Sequence, residues 1–215
     1  MISIPTDLPA ELGPLSWLLG VWEGSGVIDY TLDPGTPDER RITTEFGQRV
    51  SFSHDGLPYL NYSSYAWIIG DDAHESDDVS MSRPLVSETG YWRLSRPQTD
   101  NDPGPGMLPG AGAVAYPTVE SVEALRVPEA EGEGFPLEVS IVHPTGVSEV
   151  YLGRIAGPRI DLATDYVMRT AGSKEYTSAT RMYGLVDAHL LWAWDMSALG
   201  QPLKSHASAR LAKRD

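Results

Sequence analysis

Five histidines are the side chains best suited to hold a metal or move a proton near neutral pH: His54, His74, His143, His189 and His206. His54, His74, His143 and His189 stand in or beside turn-like segments, where a solvated imidazole is the ordinary reading. His206 differs. It opens a final alternating run, with Ser208 and Arg210 on its own face and Ala207, Ala209 and Leu211 on the other. On position alone it reads as a hydrogen-bonded structural residue rather than a ligand. Carboxylates that could work as an acid/base pair, such as Glu23, Asp29, Glu45, Glu88 and Asp195, are scattered, and no spacing rule selects two of them. Ser16 and Ser25 are not in a nucleophile elbow, and the glycines at 20, 24 and 26 lack the lysine of a phosphate loop. The chain has no cysteine, which removes thiol catalysis, disulfides and cysteine-ligated metals.

The elements that must position these groups read as strands. In Gly20-Val21-Trp22-Glu23-Gly24-Ser25-Gly26, the alternate positions hold three glycines and one tryptophan. Each glycine would cost a helix roughly 1 kcal/mol relative to alanine. The run fits a bent first strand, on which Gly20, Trp22, Gly24 and Gly26 share one nearly bare face that a second strand or a flat ligand can approach. Leu15, Leu18 and Leu19 follow Pro14 at helical spacing, so a short helical turn is expected before that strand, closing one barrel mouth. Strand patterns occupy 21–32, 41–53, 58–69, 88–94, 137–142, 147–155, 159–167, 175–185, 189–198 and 205–213, most of them separated by short Gly, Pro and Asp turns. This pattern specifies an all-β, ten-stranded antiparallel up-and-down barrel, wide enough for one small or medium ligand. Trp67, Trp92, Trp192 and Trp194 sit on these runs and read as core, which in a barrel can also be a pocket wall. The acidic stretch 70–78 lacks calcium-loop spacing and reads as a solvated loop. Residues 97–136, rich in Pro, Gly and Glu, read as an insertion on a single domain spanning 1–215.

The formal net charge is -14, and it is unevenly spread: residues 1–150 carry 24 acidic and 7 basic groups, residues 151–215 carry 6 and 9. Without a basic stripe, nucleic acid is disfavoured as a partner. The start, Met1-Ile2-Ser3-Ile4-Pro5, shows no basic segment followed by an apolar run, and no stretch has the length of a membrane span, so a cytoplasmic protein with no membrane partner is expected.

Four ordered motifs then carry a resemblance. Gly20-Val21-Trp22-Glu23-Gly24-Ser25-Gly26 matches the G-x-W-x-G-x-G motif of the nitrobindin family; Ser87-Glu88-Thr89-Gly90-Tyr91-Trp92-Arg93 resembles its S-E-T-G strand. His143-Pro144-Thr145-Gly146 with Glu149 resembles its H-P-S/T-G hairpin, and Gly200-Gln201-Pro202-Leu203 followed by His206 resembles its G-Q-P-L-x-x-H ending. The resemblance implies a barrel related to fatty-acid-binding proteins that holds haem b. In that family the iron ligand is the histidine of the last motif, here His206, with Lys174 at the position of a lysine that contacts haem. The bare face of Gly20, Trp22, Gly24 and Gly26 would then receive the haem, with Trp22 closing the barrel floor. The implied activity is isomerisation of peroxynitrite to nitrate at ferric haem, with nitric oxide bound by the ferrous form. Apolar-ligand carriage of the fatty-acid-binding type, nitric oxide sensing without turnover, and a homodimer stay open as alternatives. Two departures stand out: Val86 occupies a position where the family commonly has histidine, and the family's Y-P-T segment survives as Tyr30-Thr31.

Overall fold

A computed structural model describes residues 8–69, 83–128 and 133–214. The acidic stretch 70–78, with His74, lies outside the described residues. A 3-10 helix, Ala10–Leu18, leads into ten strands: β1 Gly20–Leu32, β2 Arg40–Ser53, β3 Leu60–Ile68, β4 Arg83–Leu94, β5 Phe135–His143, β6 Val147–Ala156, β7 Arg159–Arg169, β8 Tyr176–Val186, β9 His189–Ala198 and β10 Lys204–Arg214. Each strand pairs antiparallel with its sequence neighbour, and β1 pairs with β10 to close the barrel. Closure leaves no free edge. The expected barrel and its helical turn are therefore both present. Strand β4 begins five residues before the expected 88, and Phe135–His143 takes in two residues expected in the insertion.

Up-and-down connection places the turns after odd-numbered strands at one end of the barrel and those after even-numbered strands at the other. The even end is closed. Leu12, Leu15 and Leu18 of the 3-10 helix are wholly buried against Trp22, and the Trp22 indole N–H donates to the Leu18 carbonyl at 2.7 Å. Trp92, Leu137 and Ile155 are buried in the same core cluster. The segment between β4 and β5 carries a five-residue helix, Val119–Glu123, capped by Thr118, whose Val122 is buried in that cluster. Buried Arg96 ties the pieces together, since its guanidinium bonds both Glu11 of the 3-10 helix (2.7 and 2.9 Å) and Asp102 of the long segment (2.7 and 2.7 Å).

The glycines of β1 are explained here. A Cβ on Gly24 would lie 2.3 Å from the Arg210 carbonyl oxygen, and one on Gly26 would lie 2.2 Å from that of Ser208 and 2.7 Å from the Phe46 ring. Strand β10 and Phe46 occupy the space over this face. Of the two occupants expected for this bare face, a second strand or a flat ligand, the neighbouring strand fills it, and the missing side chains permit its close approach.

Candidate haem pocket

At the odd end, the inward side chains stop short of meeting and leave a cavity of about 420 Å³. Its walls are largely aromatic and aliphatic, with Phe46, Trp192, Trp194, Met196, Leu85 and Val86 among them, and its mouth is framed by Tyr30 to Leu32 and Gln201. His206 stands on this wall, half-buried. Regular alternation would turn it outward with Ser208 and Arg210, both exposed. A β-bulge prevents that: Ser205 pairs with Asp195 and Ala207 with Trp194, so His206 is the unpaired extra residue, and both it and Ala207 line the cavity. Bulges re-aim side chains in this way beside functional sites.

Burial holds the His206 imidazole below its ordinary pKa, against the opposing pull of a backbone hydrogen bond to Asp29 and the Asp29 charge. It is neutral at pH 7, the form that ligates a metal. Asp29 is itself paired with Arg41. Trp194 meets the His206 ring at 87° with centroids 5.4 Å apart.

Beside Trp194 lies a buried polar network supplied by β3, β4, β5, β6 and β8. Arg181 donates from both terminal nitrogens to Glu88, each at 2.9 Å, and from Nε to the Tyr151 hydroxyl at 3.0 Å. Tyr62 donates to Glu88 (2.9 Å); Tyr151 (2.6 Å) and Tyr176 donate to Glu149; and His143 Nε2 lies 2.6 Å from the other Glu149 oxygen. Burial alone would raise the Glu88 carboxyl, but the charge and hydrogen bonds of Arg181 bring it down to about 2. Glu149 also ends below its ordinary value, because hydrogen bonds from His143 and the tyrosines and the charge of Arg181 outweigh its burial. Burial pushes the Tyr62, Tyr151, Tyr176 and Tyr183 hydroxyls up, and the first three donate as neutral phenols to the two carboxylates. Every carboxylate in the network thus has a donor set, as a buried charge requires.

The residues singled out from the sequence fare differently. His206 is in the cavity wall. Lys174 is exposed in the turn before β8, on the same end as the mouth but not in the wall; its carbonyl accepts from Arg169 at 3.0 Å. Gly20, Trp22, Gly24 and Gly26 do not line this cavity, and Trp22 belongs to the floor packing described above. His143, read as a solvated turn residue, is only 8% exposed, because its ring turns inward from the end of β5 onto Glu149. His54 accepts from the Gly56 N–H in its turn, and His189 lies near Asp187 and Arg210 on the outside. Of the scattered carboxylates only Glu88 and Asp29 reach the cavity. Glu149, Arg181 and Lys204 were missed. A signal existed for two of them: Glu149 lies between Val147 and Tyr151, and Arg181 between Ala179 and Tyr183, each a charge in a buried inward column.

This donor set fits haem. Among the described residues no three His, Asp or Glu side chains cluster to hold a bare ion. One neutral imidazole on a flat, aromatic wall suits an iron that brings its remaining equatorial ligands with it. The exposed ammonium of Lys204, on the cavity rim 3.2 Å from Thr31 Oγ1, can face the carboxylates of such a macrocycle. Opposite, four strands round the barrel from β10, Val86 makes the facing wall apolar.

Comparison with known proteins agrees with this geometry. Residues 11–213 match the family model described as THAP4-like, heme-binding beta-barrel domain. The chain is 61% identical over 215 residues, the whole of both chains, to a protein of Leifsonia xyli subsp. xyli named peroxynitrite isomerase. It is 60% identical, again over both full lengths, to one of the same name from Clavibacter michiganensis subsp. michiganensis. Among solved structures, Rv2717c from M. tuberculosis superposes with a TM-score of 0.63 at 26% identity, covering 97% of this chain and 100% of that one. With its closed ten-stranded barrel and a single inward imidazole on the cavity wall, the chain belongs to the THAP4-like, heme-binding beta-barrel family.

Proposed function

We propose that the protein is a haem-dependent peroxynitrite isomerase that binds haem b through His206. The observation that carries this reading is the bulge at His206, which turns one neutral imidazole into a cavity whose walls are largely apolar and aromatic. The full-length relatives named peroxynitrite isomerase support the choice of reaction. Haem held there would supply the iron chemistry that converts a small anion.

The reaction converts ONOO⁻ into NO₃⁻ with no net change in atoms, electrons or protons. The chain therefore needs no external general acid; its tasks are to hold the cofactor, admit a small anion and limit bulk water. His206 would hold the iron, with the Trp194 ring edge-to-face against its imidazole. Val86 and Leu85 line the facing wall with apolar side chains. Lys204 places a positive charge at the mouth of a strongly acidic protein, where it favours entry of an anion and salt bridging to the haem edge. Lys174, exposed in the turn before β8, adds a second positive charge at the same end of the barrel. Stopped-flow decay of peroxynitrite tests the activity: the ferric holoprotein accelerates loss of the anion and yields nitrate, and an unaccelerated decay would refute the enzyme.

The same pocket, with iron reduced, suits nitric oxide, a ligand as small and uncharged as the apolar Val86 wall favours. Spectral titration of the ferrous holoprotein with nitric oxide checks that part. The reading extends to a cytoplasmic homodimer, for which light scattering of the holoprotein gives the mass.

A further inference from the structure

The buried network reaches the cavity wall through Arg181, Glu88 and Tyr62, and it holds a full ion pair and a second carboxylate out of water. A buried ion pair is poor value as stabilisation, since hydrophobic residues of similar volume often serve as well. What it does well is fix a geometry. Arg181 is held from three directions, by both oxygens of Glu88 and by the Tyr151 hydroxyl, so its plane has little freedom. Its Cζ lies over the Trp194 ring, 4.2 Å from the centroid. His143, held by Glu149, adds a near-parallel ring at 22° and 6.1 Å, and Tyr176, also bonded to Glu149, meets the indole at 64° and 6.5 Å. Strand pairing reinforces the stack, because Arg181 and Ala207 are the cross-strand partners of Trp194 on its two sides. The indole thus bears on a bulge residue that has no ladder partner to fix its own backbone, and Trp194 is the ring packed edge-to-face against it.

We propose that Arg181, locked by Glu88, is a positioning residue that sets the orientation of the His206 imidazole through Trp194. The inference rests on His206 being the haem ligand, and it adds what holds that ligand ready. A guanidinium is the suitable group, since its planar fork can take two carboxylate oxygens and stack on an indole at once, which an ammonium cannot do. Metal-bound histidines commonly depend on partners beyond the ligand itself, and losing such partners costs about 10–100-fold in affinity.

Two readouts test it on the full chain. In the haem-free protein labelled with ¹⁵N-histidine, the ring signals of His206, assigned with His206→Ala, report its order. Trp194→Leu is expected to broaden or split them, and Trp194→Phe to restore most of the wild-type pattern. Because Arg181→Met alone strands the Glu88 charge in the interior, the paired variant Glu88→Gln/Arg181→Met is the folded test of the lock, and Arg181→Lys tests the fork against the charge. Both should disorder the ring. In the hemin-loaded protein, the iron–histidine stretching band should broaden in the same variants, and hemin should dissociate about tenfold faster. Leu137→Ala, destabilising at the closed end, should move neither signal. Sharp wild-type His206 signals in Trp194→Leu and in the paired variant would overturn the proposal, as would equal broadening in Leu137→Ala. Failure of wild-type protein to take up hemin would refute the haem reading instead, with the ring signals still deciding whether Arg181 and Trp194 orient His206.

Discussion

The two ends of this barrel are built from the same strands and do opposite things. At the closed end, Trp22, Trp92, Leu137 and the leucines of the 3-10 helix fill the interior, and the helix finishes the seal. At the open end the inward columns carry smaller or polar residues, such as Gln48, Ser64 and Ala66 on β2 and β3, and a cavity remains. Even the polar groups differ in kind. Arg96 at the closed end joins the helix and the long β4–β5 segment, both local pieces of a plug. Arg181 at the open end joins strands around the wall and touches a residue beside the ligand histidine. One end stores stability, and the other uses part of it to keep an apolar pocket and a re-aimed imidazole.

The sharpest way to break this division is to damage each end separately. Trp22→Ala at the floor should cost about 3–5 kcal/mol in urea unfolding, the usual penalty for deleting a buried large aromatic, while hemin uptake per folded molecule stays at the wild-type level. Loss of uptake from a folded Trp22→Ala protein would show the ends are not independent. Acid should act next, and at both ends, since at the closed end Arg96 holds the Asp102 carboxyl far below its ordinary value. Glu88 is held at about 2 and Glu149 below its ordinary value, so both bind protons more readily unfolded than folded. Their stabilisation is complete above the unfolded carboxylate value and is lost as pH falls from about 4.5 to about 2. Urea unfolding at stepped pH should show that loss in the wild type and a shallower one in Glu88→Gln/Arg181→Met. A smaller effect is expected at the rim: Lys204→Ala should weaken hemin binding by a few-fold, within the ~1 kcal/mol an exposed charge commonly contributes, without moving the melting temperature. Smallest of all is Arg159→Ala, which removes an exposed partner of Asp161 at the closed end and should change neither stability nor hemin uptake measurably.

Much of the scaffold was legible because its signals are local. Period-two alternation and short Gly, Pro and Asp turns placed ten strands, and up-and-down closure followed from their spacing. The pocket was harder to read, for reasons that can be named. Alternation puts His206 with exposed Ser208 and Arg210, and only a bulge created by pairing with β9 turns it inward. Family resemblance pointed to His206 where periodicity could not. The glycine face of β1 was open in sequence and is filled in space, because Ser208, Arg210 and Phe46 come from distant parts of the chain. The Glu88–Arg181 pair spans 93 residues, and His143 looked like a turn residue until Glu149, six positions on, drew it inside. Contacts of that kind are set by register around the closed barrel rather than by any run of residues.

The central claim is that one imidazole on the cavity wall holds the haem. Titration of the haem-free protein with hemin, followed through the Soret band and repeated with His206→Ala, tests it most directly. The account predicts a saturable one-to-one shift in the wild type and its loss in a His206→Ala protein that unfolds at the same urea concentration. Equal binding by the two proteins would contradict it.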